Sequence, residues 1–157
     1  MRRRRWHRPV GKFLASHCQV RVRFQEVDSL RVAWHGHYVN YFEEGRNAFG
    51  REYEFGYQDI LAAGYIAPLV HVELDYSRPA RFDEVLDIET RMYLGEGARV
   101  QFTYDISHIS QDTGARKDIA AGSSVQVFTD AEGNLMLTRP DFYSAFLDRW
   151  AHQVRDE

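Results

Sequence analysis

The stretch VRVRFQEVDSLRVAWHGHYVNYFEEGRNAFG, residues 20–50, decides how this chain is read. Val20, Val22 and Phe24 alternate with Arg21, Arg23 and Gln25, the two-residue period of a strand with one buried and one wet face. Asp28 follows in a short polar turn. Seven residues later His35-Gly36-His37 opens a segment in which Val39, Phe42, Arg46, Phe49 and Tyr53 recur at helical spacing. A carboxylate thus faces the first turn of a helix, where backbone N–H groups lack intrahelical acceptors and the helix dipole is positive. A base or nucleophile on one side of a carbonyl, with fixed donors where an oxyanion grows, is the requirement of acyl chemistry.

The helix itself is predicted from Gly36 to about Glu52. Tyr38, Val39, Tyr41, Phe42, Ala48 and Phe49 cover more than one stripe of it, so much of its surface is expected to be buried. Gly45 and Gly50 each cost up to ~1 kcal/mol relative to alanine in a helix interior, a penalty usually offset by close approach of another element. Gly45 suits tight contact between helix and sheet.

Outward from this unit, residues 1–16 are expected to form a disordered basic tail and residues 17–153 a single domain. The first strand is predicted over His17–Gln25, and a short helix over Tyr57–Ala63 is stopped by Gly64. Ile66–Tyr76 alternates as a long strand. Val85–Leu94 sets Val85, Asp87, Glu89, Arg91 and Tyr93 against Leu86, Ile88, Thr90, Met92 and Leu94, a half-buried pattern. Two further strands, Val100–His108 and Ile119–Thr129, are separated by the turn Asp112-Thr113-Gly114. A hairpin over Asp130–Asn134 allows brief pairing of Leu135–Leu137. Pro140 starts a helix with Tyr143, Phe146, Leu147 and Trp150 on its apolar face, and residues 153–157 are expected to fray. One buried helix followed by long antiparallel strands is an α+β order in which the sheet wraps around the helix. Pairing of sheet edges between copies is one way to blunt them.

Composition excludes several classes. The 157 residues are 44% apolar and 27% charged with a formal net charge of -3, which gives no general attraction to nucleic acid or anionic membranes. The exception is Arg2-Arg3-Arg4-Arg5, with Trp6 and Arg8, read here as a solvated tail. No stretch approaches the ~18 apolar residues of a membrane span, and Phe13-Leu14-Ala15 is too short for a secretory core, so a soluble cytoplasmic protein without stable membrane insertion is expected. The single cysteine, Cys18, excludes an intrachain disulfide and any multi-cysteine metal site. His71, Glu73 and Asp75 share one strand parity, but a solvated or subunit-facing strand accounts for them without a metal.

Phe24-x-Glu26-x-Asp28, then Val32-Ala33-Trp34-His35-Gly36-x-Tyr38-x-x-Tyr41-Phe42-Glu43, resembles the signature of the hotdog-fold thioesterases of the 4-hydroxybenzoyl-CoA thioesterase and YbgC type. The likeness continues through Tyr76-Ser77-Arg78-Pro79-Ala80-Arg81-Phe82-Asp83-Glu84 and extends over roughly Gln19 to Pro140. The resemblance implies a long helix wrapped by a curved antiparallel sheet, a homodimer or homotetramer, and hydrolysis of an acyl-CoA or acyl-carrier-protein thioester across the subunit interface. It implies no cofactor beyond the coenzyme A of substrate and product, no metal and no nucleic acid. Asp28 matches the family's catalytic aspartate, nucleophile or general base, and His35 matches the histidine of the YbgC-like branch. Trp34, Gly36 and Tyr38 are the expected substrate-binding residues of the motif. Arg81 and Arg99, with Arg78, Arg116 and Lys117 beside them, are candidate cations for coenzyme phosphates.

Two departures stand out. Phe24 replaces a tyrosine common four residues before the aspartate, and Ser29-Leu30-Arg31 replaces the usual Ala-Gly-Gly after it. Rival readings are a hotdog dehydratase or hydratase acting on β-hydroxyacyl or enoyl thioesters, and an acyl-CoA-binding protein without turnover.

Overall fold

Helix α1 (Tyr38–Tyr53) is the element the sheet is built against. Its buried residues Tyr38, Tyr41, Phe42, Gly45, Phe49 and Tyr53 recur every three or four positions, so one broad face meets the strands. Phe42 stacks on Tyr104 with ring centroids 4.3 Å apart, and Phe49 meets Phe102 edge-on at 5.3 Å. Burying a ring such as Phe49 completely contributes roughly 1.5–3 kcal/mol over leaving it in water, so this seam adds substantially to the attachment of helix to sheet. Gly45 marks the tightest approach: a Cβ there would lie 2.4 Å from Thr90 Oγ1 and 3.0 Å from Ile88 Cγ2.

The structure, a computed structural model, describes residues 8–157; residues 1–7 of the expected tail, the arginine run Arg2–Arg5 among them, lie outside the described residues. Strands β1 (Phe13–Arg21), β3 (Leu69–Tyr76), β4 (Val85–Tyr93), β5 (Arg99–Ile109) and β6 (Arg116–Val127) form one antiparallel sheet in the order β1-β4-β5-β6-β3. Two short strands, β2 (Tyr65–Ile66) and β7 (Thr129–Asp130), pair separately. In β4 the expected alternation holds: Leu86, Ile88, Thr90 and Met92 are buried, while Asp87, Glu89 and Arg91 on the other face are half-buried. Helix α2 (Tyr57–Ala62) follows α1, and α3 (Asp141–Trp150) closes one end of the core, its Tyr143 and Phe146 packing on Phe55.

Several boundaries differ from the sequence reading, each for a local reason. The first strand begins at Phe13, not His17, because Phe13 pairs with Tyr93 on one side and with Arg155 on the other. For the same reason the C-terminal residues do not fray: Phe13 and Arg155 exchange two 2.9 Å backbone hydrogen bonds, and Glu157 binds Arg91 at 2.6 Å. The strand also ends at Arg21. Arg23 N–H donates to Glu26 Oε2 at 2.8 Å and Glu26 N–H to the Arg23 carbonyl at 3.0 Å, which turns Phe24–Glu26 into a single 3-10 turn. Phe24 therefore leaves the buried row and packs edge-on against Phe82, outside the core. The predicted strand Ile66–Tyr76 is broken at Ala67-Pro68, since Pro68 has no N–H for a ladder; its carbonyl instead accepts from Val127 N–H at 3.2 Å.

Candidate active site

Asp28 heads a tight loop whose ends, Val27 and Ala33, pair across it. Its N–H donates to the Val32 carbonyl at 3.0 Å, its carbonyl accepts from Arg31 N–H at 2.9 Å, and its Oδ1 accepts from Leu30 N–H at 2.8 Å. A side chain bonded to its own backbone two residues on is held in one orientation before any ligand arrives. One carboxylate oxygen is thereby engaged, and Oδ2 has no hydrogen-bond partner among the described residues. The loop closes through Arg31 in the left-handed region, φ +61, at the position where the resembling family carries glycine.

The loop is fastened to the segment after β3, with Val32 bridging Arg81 and Ala33 N–H donating to the Ala80 carbonyl at 2.8 Å. The chain then enters a 3-10 turn, His35–His37, that runs straight into α1. Trp34 N–H is taken by the Glu26 carbonyl at 2.9 Å, and His37 N–H by the Trp34 carbonyl at 2.9 Å. Between them, the N–H groups of His35 and Gly36 meet no acceptor among the described residues. These are the free donors that the sequence placed opposite Asp28.

Two tyrosines brace this turn. Tyr38 Oη accepts from Ala80 N–H at 3.0 Å, and its ring stands edge-on to Tyr76 at 5.0 Å. Tyr76 Oη donates to the His35 carbonyl at 2.5 Å. Burial raises the pKa of Tyr38 against the opposing Ala80 hydrogen bond, and burial followed by the Glu26 carboxylate raises that of Tyr41, whose hydroxyl donates to Glu26 Oε2 at 3.0 Å. Both phenols stay neutral through the physiological range. Asp28, Val32 and Ala33 from the loop, His35 and Tyr38 from the helix start, and Tyr76, Ser77, Arg78 and Pro79 from the end of β3 line a cavity of about 310 Å³.

Residues 22–149 match the thioesterase-like superfamily. The chain belongs to that family. It is 24% identical over 130 residues to YneP of Bacillus subtilis, covering 82% of this chain and 92% of that protein. Against the acyl-CoA thioester hydrolase YbgC of Escherichia coli the identity is 30% over 87 residues, 55% of this chain and 65% of YbgC. The fold superposes on 4-hydroxybenzoyl-CoA thioesterase from Pseudomonas with a TM-score of 0.72 at 18% identity, covering 85% of this chain and 99% of that one. The architecture is the hotdog fold, helix α1 against a curved antiparallel sheet.

In this thioesterase-like chain the expected residues divide into three groups. Asp28, His35 and Tyr38 share the cavity. Trp34 and Gly36 flank the lining residue His35 but do not line the cavity themselves; the half-exposed indole lies over Gly36 so closely that a Cβ there would be 2.0 Å from the ring, and it meets the His35 ring at a tilt, 4.7 Å between centroids. Arg81 and Arg99 do not line the cavity. The exposed Arg81 is next to it through the Val32 bridge, whereas Arg99 pairs with Val127, seven positions along β6 from Ala120, the partner of Tyr76. At ~3.3 Å per residue that is roughly 23 Å, the opposite end of the sheet. The sequence reading gave no site role to Tyr76 or Ser77, which lie inside the second shared motif; only the fold of β3 back onto the helix start shows why they belong there. His71 and Glu73 pair at 3.1 Å on β3.

Proposed function

We propose that this chain is an acyl-CoA thioesterase, releasing a carboxylic acid and free CoA. The observation that carries the reading is that Asp28, with one carboxylate oxygen unengaged, and His35, whose N–H like that of Gly36 after it meets no acceptor among the described residues, line one cavity. The thioester carbonyl lies between them. Asp28 either takes a proton from water as that water attacks the carbonyl carbon, or attacks it directly to give a mixed anhydride that water then cleaves. In both routes the negative charge on the carbonyl oxygen is met by the amides, the C–S bond breaks, and CoA leaves as thiolate and takes up a proton. His35 contributes through its backbone position, while its ring packs against Trp34.

A homodimer completes the assembly in this reading. Strand β3 has one edge paired with β6 and the other without a strand partner among the described residues, and Leu69, Val70 and Tyr76 on it are exposed. Two copies joined antiparallel along that edge place the Leu69 end of one strand beside the Tyr76 end of the other. Arg99, remote from its own cavity, would then serve the phosphates of CoA bound in the second copy, with Arg78 and Arg81 contributed by the first.

One observation favours a second reading, a carrier-protein thioester. Phe24 and Leu30, which flank the Asp28 loop in sequence, are 78% and 77% exposed, Phe24 against the exposed Phe82, and their chain neighbours Arg23, Arg31 and Arg81 make no carboxylate ion pairs among the described residues. An acidic protein delivering an acyl-phosphopantetheine would match that surface.

The deciding assay is thiol release from aliphatic and aromatic acyl-CoAs by wild type and Asp28→Asn. Hydrolysis of at least one member, lost by 10³-fold or so in the variant with its oligomer intact, supports the assignment. Equal turnover by the variant refutes it, and turnover of acyl-carrier substrates alone shifts the reading to the second.

A further inference from the structure

We propose that Glu26 is a positioning residue, whose carboxylate sets the hairpin carrying Asp28 against the start of α1. The proposal rests on the thioesterase reading above and concerns what holds that site together.

Residues 26–28 and 32–34 form the two arms of this hairpin. Asp28 N–H donates to the Val32 carbonyl at 3.0 Å, Val27 pairs with Ala33, and Trp34 N–H donates to the Glu26 carbonyl at 2.9 Å. The second arm runs directly into His35 and then α1, so the connection from Trp34 to Tyr41 decides how Asp28 stands relative to the helix start. Glu26 grips that connection at both ends. Its backbone carbonyl holds Trp34, and its carboxylate Oε2 accepts from the Tyr41 hydroxyl at 3.0 Å. The same oxygen accepts from Arg23 N–H at 2.8 Å, which ties the grip to the chain leaving β1.

A half-buried carboxylate is costly unless its hydrogen bonds are made, and Glu26 has no ion pair among the described residues. Its two donors are what hold it. The Tyr41 ring is 1% exposed and stands edge-on to the cavity-lining Tyr38 at 5.6 Å, so the phenol that Glu26 grips is itself fixed in the core. A hydrogen bond to an ionised acceptor is roughly twice as strong as a neutral one, and this one acts as a strut between hairpin and helix. Asp28 and His35, the two cavity residues that must flank the thioester, lie on the two parts it joins. Without the strut the hairpin ladder and the loop bonds of Asp28 persist, but the hairpin can rock about Trp34. Displacement by ~1 Å can cost ~10²-fold in the chemical step. Ala33 N–H still meets the Ala80 carbonyl at 2.8 Å, which limits the movement and the loss.

Tyr41→Phe removes the hydroxyl and keeps the ring contact, Glu26→Ala removes the acceptor, and Glu26→Gln keeps a carbonyl oxygen that takes both donors. In the native full-length protein, on an acyl-CoA that wild type hydrolyses, kcat should fall about tenfold in Tyr41→Phe and in Glu26→Ala, with KM within about twofold. Glu26→Gln should stay within about threefold of wild type. Combining Glu26→Ala with Tyr41→Phe should lose no more than the deeper single variant, because both break one bond. A bond that served stability alone would lower the melting temperature and leave kcat of the folded variants at the wild-type value, a result that overturns the role. Single losses that multiply in the double variant overturn it too, as does a Glu26→Gln protein as slow as Glu26→Ala. Should Glu26→Ala not fold, kcat of Tyr41→Phe decides alone. Wild type that releases no thiol from any thioester overturns instead the reading on which this role rests.

Discussion

Replacing Gly45 by alanine sets two effects of similar size against each other. In an exposed helix the change would stabilise by ~1 kcal/mol, the propensity difference between the two residues. In this helix the new methyl would sit 2.4 Å from Thr90 Oγ1 and 3.0 Å from Ile88 Cγ2. A carbon and an oxygen without a bond rest at about 3.3 Å, so helix and strand must part by roughly 0.9 Å along a seam that includes the Phe42–Tyr104 stack. Overpacking of this kind costs ~1–3 kcal/mol, so the net is a loss of up to about 2 kcal/mol, or up to ~6 °C in Tm for a domain of this size. Thr90 offers an internal control. Its hydroxyl is buried without a partner among the described residues, so Thr90→Ala gives up a methyl group and no hydrogen bond, costing about 1 kcal/mol. Gly45→Ala with Thr90→Ala removes the clashing Oγ1 and places the new helix methyl in the space vacated on the strand, and should return to within ~0.5 kcal/mol of wild type. Urea unfolding of the four proteins at one protein concentration measures a coupling of roughly 2 kcal/mol. Additive single-mutant losses, or a Gly45→Ala protein at least as stable as wild type, would refute this account of the helix–sheet contact.

Arg31→Gly should raise stability by up to ~1 kcal/mol, because φ +61 opposes an L side chain at that position; differential scanning calorimetry reads the gain, and a fall in Tm would show that the arginine side chain makes up for the strain. Alkaline unfolding tests the buried phenols. Burial pushes Tyr143 up to about 12, against a smaller opposing effect of Arg139, while the unfolded chain ionises near 10. The neutral folded form is favoured, so its stabilisation is complete below about pH 10 and disappears as the pH rises through 12. Tyr143 Oη has no partner among the described residues, so Tyr143→Phe should be near neutral at pH 7 and should move the alkaline midpoint upward. A midpoint at or below that of wild type would contradict this. Finally, Val70→Lys on the open edge of β3 should shift the protein toward monomer in sedimentation and reduce thioesterase activity with it; an unchanged oligomer would place the interface elsewhere.

Much of the fold and of the site was legible because it is carried by local periodicity. The α1 stripe, the alternation of β4 and most turn-separated strands need only neighbours a few residues apart and lie largely where the 3.6- and two-residue periods put them, except that Val39 is exposed and Tyr93, on the outer row of β4, is buried against Phe13. Gly45 was readable as a close contact for the same reason: a glycine inside a strongly amphipathic helix has a cost that only proximity offsets. Asp28 and the helix start were adjacent in sequence, so their encounter required no long-range information. The misplaced boundaries share the opposite property. Phe13 became a strand residue through Arg155, and Phe24 left the strand through a bond to the Glu26 carboxylate, neither of which a residue pattern reports.

By itself, then, the sequence determined the α+β class, the helix and its buried face, most strands, and the aspartate before a helix start, because propensity, periodicity and capping act over a few residues. Only the tertiary structure decided that β3 pairs with β6 and lies at the edge, that Tyr76 reaches the His35 carbonyl 41 positions back, and that Arg81 borders the cavity while Arg99 does not. Those contacts join segments whose separation along the chain carries no periodic signal. They are made by the collective packing of the sheet on α1 and by backbone pairing between distant strands.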